Sequence, residues 1–227
     1  MIAATVRHPL FAIALTLLAY RAALFAQQRS RLPIAQPVLL ATALVVAALL
    51  ACGVDYASYQ RDAAPLWLLL GPATVALAVP LQANLKRIRR LFWPVLIALG
   101  VGGSATVGTA LLLAGLLGAT PALSMSLAPK SVTSPIAILL AEQLGGIAAL
   151  TAVFVMLTGV LGVVLGPWLL RLAGVDAPAA RGLAFGLNAH AIGTAHALEE
   201  GEECAAFAAL AMSLAGAATA VLLPLVL

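Results

Sequence analysis

The chain has 227 residues, of which 63% are apolar and 9% are charged, and its formal net charge is +4. An ordinary soluble domain has about 25% charged residues, so this composition excludes a soluble globular enzyme, a disordered chain and a coiled coil. Aromatic residues make up only 5% of the chain, and no alternating ten-residue strands are visible, which argues against a β-barrel. The sequence therefore predicts an all-α polytopic membrane protein, with residues 1–227 forming a single integral membrane domain.

Apolar segments follow one another along the chain, each bounded by proline, glycine or charge. A membrane-spanning helix needs about 20 apolar residues, so the length allows seven to eight such segments and no extramembrane domain. No cofactor is expected. The basic residues lie in short loops, where they act as topology signals, so no nucleic-acid partner is expected either. The segments cover approximately residues 9–26, 37–53, 66–85, 91–118, 124–141, 147–170, 182–198 and 205–227.

The basic loops predict a topology. Loops 21–31 and 86–90 hold seven of the twelve Lys and Arg residues, and cytoplasmic loops are enriched in these residues. Both loops, and the loop 171–181, are therefore expected on the cytoplasmic side. This placement requires that segment 124–141 re-enters the membrane or is broken. It also puts the acidic loop 199–203 outside and the C-terminus in the cytoplasm.

Two apolar segments are interrupted by prolines. Pro72 and Pro80 interrupt the first, and Pro129 and Pro135 interrupt the second. Both contain Pro-x-(Ser/Thr)-Val, a weak internal repeat of the kind expected in a transporter built from inverted repeats. The alternative is that these prolines only kink helices for packing. On the transporter interpretation, Thr74 in the first element is equivalent to Ser131 in the second.

The second Pro-broken element predicts an anion site. Ser134 is a good N-cap and Pro135 fits the first turn of a half-helix that runs through Glu142. The start of such a helix presents free N–H groups and the positive end of its dipole, and Lys130 lies nearby. This arrangement suits a carboxylate. The alternative is a kinked structural helix whose Lys130 extends to the membrane surface, with Glu142 marking the interface.

Polar residues also interrupt the segment 182–198. Asn188 and His190 are costly in an apolar segment and usually face the bundle interior, while His196 and Glu199 share a helix face with Glu200. A substrate, proton or cation site is the favoured interpretation, and a hydrogen-bonded helix end is the alternative. A metal site is weakly supported because no HExxH motif is present. Ser131 or Ser134 with His190 could be imagined as a hydrolase, but no G-x-S-x-G occurs, so no enzyme activity is expected.

These motifs together resemble the LrgB/CidB family. The resemblance rests on residues 129–137 with Glu142 and the pair Gly145-Gly146, on residues 70–81, on residues 180–186, on residues 190–195 and on Ala211-Met212. The family is described as holin/antiholin-like proteins that modulate murein hydrolase activity, and it is similar to the plastidial glycolate/glycerate translocator and to bacterial pyruvate-uptake systems. The chain departs from the family pattern at Asn188, where Ser is typical, and at His196, where Arg is typical. Gln82 stands where Tyr is common.

The resemblance implies two functions. The first is secondary transport of small monocarboxylates such as pyruvate, glycolate or glycerate; the alternative is a holin/antiholin-like regulator of lysis that acts with an LrgA/CidA-like membrane partner. Either would place the protein in the bacterial inner membrane, in contact with lipid and as a homo-oligomer. Gly193, together with Gly182 and Gly186, is expected to permit close helix approach or unwinding around the site, and the four prolines are expected to break helices. The predicted substrate-binding residues are Thr74, Lys130, Ser131, Thr133, Ser134, Asn188, His190, Thr194 and His196, and the predicted proton or ion-coupling residues are Glu142 and Glu199.

Overall fold

The computed structural model describes residues 10–30, 36–69, 72 and 75–227. Every regular element within these ranges is helical, as the composition predicts. The chain divides into two compact units, one up to Ala76 and the other from Leu77 to Leu227. The helices are α1 (Leu10–Ser30), α2 (Pro37–Cys52), α3 (Tyr56–Asp62), α4 (Ala64–Leu68), α5 (Ala78–Ala83), α6 (Leu85–Arg90), α7 (Phe92–Leu116), α8 (Pro121–Leu127), α9 (Ser134–Gln143), α10 (Ala148–Leu172), α11 (Pro178–Glu200) and α12 (Glu202–Val226).

The first unit is built around the packing of α1 on α2. Ala19 meets Val45 and Leu49 in a small apolar cluster. Helix α2 ends at Gly53, whose φ of 64° suits glycine, and α3 then departs at an angle of 118°. The Asp55 side chain accepts a hydrogen bond from the Ser58 N–H at 3.0 Å and so caps α3.

The second unit contains three long helices, α7, α10 and α12, each of 25 residues. Each rises about 37 Å along its axis, which is enough to cross a hydrocarbon core of about 30 Å. Helix α12 is fully buried from Ala205 to Ala209, because α11 packs closely along it. Small alanine side chains allow that approach.

Fewer of the described helices are long and apolar enough to cross a membrane than the sequence predicts. Among the described residues, four helices are long and apolar enough to cross a membrane, or five if α2 and α3 form one broken span. The prediction of seven to eight segments is therefore not confirmed. The described residues of segment 66–85 lie in and between short helices, and segments 124–141 and 182–198 both fold as hairpins.

Candidate functional site

A first hairpin, residues 121–143, is formed by α8, an irregular stretch 128–133 and α9. The two helices have 7 and 10 residues, and even the longer one rises only about 15 Å, half of the hydrocarbon core. The Ser126 hydroxyl, in the last turn of α8, accepts a hydrogen bond from the Ile147 N–H at 2.7 Å. After α9 the chain therefore comes back beside the end of α8. The sequence-based expectation of a broken element between Pro129 and Pro135 agrees with this geometry.

The start of α9 carries the predicted anion-binding groups. Thr133 is the N-cap residue and makes no side-chain capping bond, and Ser134 is the first helical residue, so the predicted cap at Ser134 is wrong by one position. The Ala137 N–H donates to Thr133 O at 2.9 Å, which leaves the Ser134 and Ile136 amides without an intrahelical acceptor. Lys130 Nζ donates to Ser131 Oγ at 3.2 Å. A cation, hydroxyls and a helix N-terminus therefore lie on one short stretch of chain.

A second hairpin, residues 178–200, is formed by α11. Its helical path is broken at His190, which has φ 42° and ψ −126°. A straight helix would separate Arg181 from Glu200 by about 28 Å, yet their side chains form a bidentate ion pair, with Nη2 to Oε1 at 2.6 Å and Nε to Oε2 at 2.7 Å. The element therefore folds back on itself, and residues 178–189 and 191–200 form two antiparallel arms.

His190 forms the tip of the second hairpin. Its ring Nε2 lies 3.0 Å from the carbonyl oxygen of Val155 in α10, and the Thr194 hydroxyl donates to His190 O at 2.9 Å. Positive φ is costly for a residue other than glycine, and these contacts hold the conformation. Gly159 leaves room for the ring, because a Cβ there would lie 2.9 Å from His190 Cε1. His190 is buried and hydrogen bonded against α10.

The base of the second hairpin is a charged cluster. The Arg181 guanidinium, which donates two hydrogen bonds to Glu200, lowers the pKa of that carboxyl below its ordinary value. His196 lies between two carboxylates, with Nδ1 3.5 Å from Glu199 and Nε2 3.5 Å from Glu200. Its ring also meets the Phe185 ring edge-on at 5.0 Å. The cluster joins the two arms at the end where α12 begins.

Contacts with α6 show at which end of the second unit the base of the second hairpin lies. Arg87 Nε lies 3.0 Å from Glu203 Oε1, and Ile88 shares a buried cluster with Ala179 and Phe207. Segment 86–90 and the acidic loop 199–203 therefore lie at the same end of this unit. The prediction that they face opposite sides of the membrane is wrong, because it counted residues 182–198 as a full span.

The first hairpin packs at the opposite end. Ala128 and Leu140 share a buried cluster with Leu223, near the end of α12. The first half of α12, by contrast, is covered by the second hairpin, since a Cβ on Gly182 or Gly186 would collide with the carbonyl oxygens of Cys204 and Ala208. The two hairpins thus approach α12 from its two ends.

A cavity of about 570 Å³ lies between α7, α12 and the irregular stretch of the first hairpin. Pro129 and Ser131 of the first hairpin line it together with Leu187 of the second, and Ser104 and Thr106 of α7 add two hydroxyls. The Thr106 hydroxyl donates to Asn188 Oδ1 at 3.2 Å, which places Asn188 beside the lining. The hydroxyls of α7 are functional candidates that sequence reasoning missed, although the small polar run 102–106 in an apolar helix was a visible signal.

The other predicted residues of the second hairpin and the two predicted coupling residues do not line this cavity. His190 and Thr194 face α10 and Met212, and His196 lies at the hairpin base. Glu142 and Glu199 are exposed. Among the described residues, no three His, Cys, Asp or Glu side chains come together as a metal site. Pro72 is exposed, Pro80 lies inside α5, Gly193 packs against Phe185 O within the second hairpin, and Thr74 lies outside the described residues.

Comparison with known proteins gives the chain its relatives. The LrgB-like family matches residues 16–227. The uncharacterized protein YxaC of Bacillus subtilis is 39% identical over 202 residues, which is 89% of this chain and 88% of that protein. The holin-like protein CidB of Staphylococcus epidermidis is 31% identical, over 95% of this chain and 94% of that protein. The antiholin-like protein LrgB of Bacillus mycoides is 30% identical, over 98% and 97%. No solved structure matches the chain. The resemblance read from residues 129–137 and 190–195 is confirmed, and the chain belongs to the LrgB-like family of membrane proteins.

Proposed function

We propose that the protein is a holin/antiholin-like component of the bacterial inner membrane that regulates murein hydrolase activity together with a small LrgA/CidA-like membrane partner. The observation that carries this proposal is the similarity to relatives named holin-like CidB and antiholin-like LrgB over nearly their whole lengths. The broad apolar surface of α7 supports it, because Leu112, Leu113 and Leu116 are exposed on a helix able to span the membrane and are free to meet lipid or another membrane helix.

The test is a deletion strain of the source bacterium. We expect the rate of detergent-induced autolysis and the murein hydrolase activity of cell extracts to change on deletion, and both to return when the gene is restored. A tagged copy should also co-purify a small membrane protein. Unchanged autolysis together with purification of the chain without such a partner would contradict the proposal.

A second candidate function is transport of a small monocarboxylate such as pyruvate, glycolate or glycerate. The observation that favours it is the position of Ser131 on the cavity wall, with Lys130 bonded to it and the N-terminus of α9 close by. These groups supply positive charge and hydrogen-bond donors, which a carboxylate needs inside an apolar protein. Asn188 would orient the 2-oxo or 2-hydroxy group from the second hairpin.

The arrangement of helices supports the same candidate. Residues 92–143 and 148–200 each consist of a 25-residue helix followed by a hairpin. Because each part contains one crossing and one hairpin that returns, the second part has the opposite orientation to the first. We propose that the two parts form an inverted repeat and that the hairpins open in turn from the two sides of the membrane.

The transport candidate is tested by uptake of labelled pyruvate, glycolate and glycerate into proteoliposomes. The double variant Ser131→Ala/Thr133→Ala removes two hydroxyls near the cavity and should weaken substrate affinity roughly 10- to 150-fold per lost bond to the carboxylate. The matched control is Thr109→Ala/Ser213→Ala, which removes the same two residue types from exposed positions. Equal uptake kinetics in both double variants would contradict the assignment of the hydroxyls to the substrate.

His196 acts in the transport candidate through the base of the second hairpin. It lies 3.5 Å from Glu200, which pairs with Arg181 of the other arm, so the charge at position 196 would change how firmly the two arms are joined, without contact to the substrate. His196→Arg would fix a positive charge at this base. Glu142, at the end of the first hairpin, would serve as the coupling group on the other side.

A further inference from the structure

A row of cations precedes helix α7 on one face of the chain. Lys86, Arg89 and Arg90 are spaced three and four residues apart, which places them on one side of α6, and Trp93 follows three residues after Arg90 at the start of α7. Leu91, with φ −99° and ψ 18°, separates the two helices, and backbone hydrogen bonds bridge it, because the Leu91 N–H donates to Arg87 O at 3.1 Å and the Val95 N–H to Leu91 O at 2.9 Å. We call these four residues the basic face.

The opposite side of the same stretch is fixed to the protein. Ile88 and Val95 are buried with Phe207 of α12, and Arg87 is paired with Glu203. These contacts set the rotation of α6 and turn the basic face outward. Within the described residues, Lys86, Arg89 and Arg90 form no ion pair, and all three are exposed.

The basic face lies where a membrane surface is expected. Helix α7 begins at Phe92 and is apolar enough to span a bilayer, so the three cations stand just before the hydrocarbon core and Trp93 stands in its first turn. The Trp93 side chain is 70% exposed and meets Phe92 edge-on at 5.5 Å. Tryptophan at this depth sits with its apolar ring among the lipid chains and its N–H toward the headgroups.

We propose that the basic face is a binding site for the headgroup of an anionic phospholipid. Three unpaired cations on one helix face offer a phosphodiester more positive charge than it can neutralise, which favours a lipid of net negative charge over a zwitterionic one. Arg89 and Arg90 supply planar guanidinium groups that bind phosphate oxygens in pairs. Trp93 packs below the phosphate against the acyl chains. This site is separate from the cavity and does not depend on the proposed function.

The test is native mass spectrometry of the detergent-purified full chain, titrated with phosphatidylglycerol or with phosphatidylcholine of the same acyl chains. We expect the wild-type protein to bind phosphatidylglycerol at least tenfold more tightly, and less tightly as salt is raised. The triple variant Lys86→Gln/Arg89→Gln/Arg90→Gln should lose about fivefold in affinity per cation, and with it the preference for the anionic lipid. The matched control removes three other exposed cations, Arg21, Arg29 and Arg61, by the same substitution.

A second measurement reports on Trp93 itself. Phosphatidylglycerol with brominated acyl chains should quench part of the tryptophan fluorescence in the wild-type protein, and that part should be absent from Trp93→Leu. The proposal is overturned if the triple variant keeps its lipid preference, or if the control loses as much affinity. It is also overturned if inorganic phosphate at millimolar concentration displaces the lipid, since the site would then bind free phosphate.

Discussion

The packing of the second hairpin on α12 makes a strong prediction for Gly186. A Cβ at this position would lie 2.8 Å from the carbonyl carbon and 2.9 Å from the Cα of Ala208, and closer still to its carbonyl oxygen. Real Cβ atoms do not approach backbone this closely, and both helices are buried here. Alanine is a better helix former than glycine by about 1 kcal/mol, but overpacking of a filled interior costs about 1–3 kcal/mol or more. The collision is with backbone, so the upper end of that cost applies, and Gly186→Ala should destabilise the protein by about 2 kcal/mol net.

The matched control is Gly115→Ala in α7, where a Cβ meets nothing within 4 Å. This variant should gain up to about 1 kcal/mol from helix propensity alone. Reversible unfolding in mixed micelles, followed by circular dichroism, measures both. Because the collision at 186 is with the backbone of Ala208, adding Ala208→Gly should not restore stability. Equal stability of the Gly186→Ala and Gly115→Ala variants would refute the close approach of α11 to α12.

A contrasting case tests the same packing on α10. A Cβ at Gly162 would lie 2.7 Å from Ala189 Cβ, and the next nearest atom is 3.6 Å away. Gly162→Ala should therefore lower the free energy of unfolding in the same assay, and adding Ala189→Gly should restore part of it. At the hairpin tip, His190→Gly should be more stable than His190→Ala by about 1–2 kcal/mol, because glycine accepts positive φ without strain; equal stability would contradict the conformation at position 190. Because the pKa of Glu200 is lowered, its pairing with Arg181 stabilises the fold above the ordinary pKa of Glu, and this stabilisation is lost as pH falls through the lowered value. The melting temperatures of wild type and Glu200→Gln should therefore differ near neutral pH and converge in acid, and a constant difference would argue against the pair. Membrane sidedness is tested with single cysteines in a background without Cys52 and Cys204. Arg90→Cys and Glu202→Cys should react with an impermeant thiol reagent from the same side of the membrane, and Glu142→Cys should react from the other side. Labelling of Arg90→Cys and Glu202→Cys from opposite sides would refute the second hairpin.

The first hairpin could be predicted from sequence because proline acts locally. Pro129 and Pro135 each remove a backbone donor and disfavour helix in the residue before them, so a break between them follows from the residues alone. The position of Ser131 next to a helix start follows as well. The cavity could not be predicted, since it also needs Ser104 and Thr106 from α7 and Leu187 from the second hairpin, which are brought together only by tertiary packing.

The second hairpin was missed because its turn has no local marker. Residues 182–198 contain no proline, and the turn is made by His190, whereas positive φ is uncommon for any residue other than glycine. Gly193 indicated either close helix approach or unwinding, and the structure shows close approach of the second arm to Phe185 O. The available signals were long-range: complementary charges at Arg181 and Glu200, 19 residues apart, and glycines at 182 and 186 facing a run of alanines. A single sequence does not show which of these groups meet.

The dependence of the second hairpin on α12 also bears on how the protein enters the membrane. Each arm is about 15–18 Å long, and the base carries Arg181, Glu199 and Glu200, so lipid contact alone holds the hairpin poorly. Its partner α12 is synthesised after it. Residues 178–200 therefore leave the ribosome when α10, which holds the hairpin tip, is already made, but before the surface of α12 that covers both arms exists. We expect the translocon to release this region at the membrane surface first. The hairpin would then enter the bilayer only after α12 has been inserted, so that the later part of the chain inserts before the earlier part.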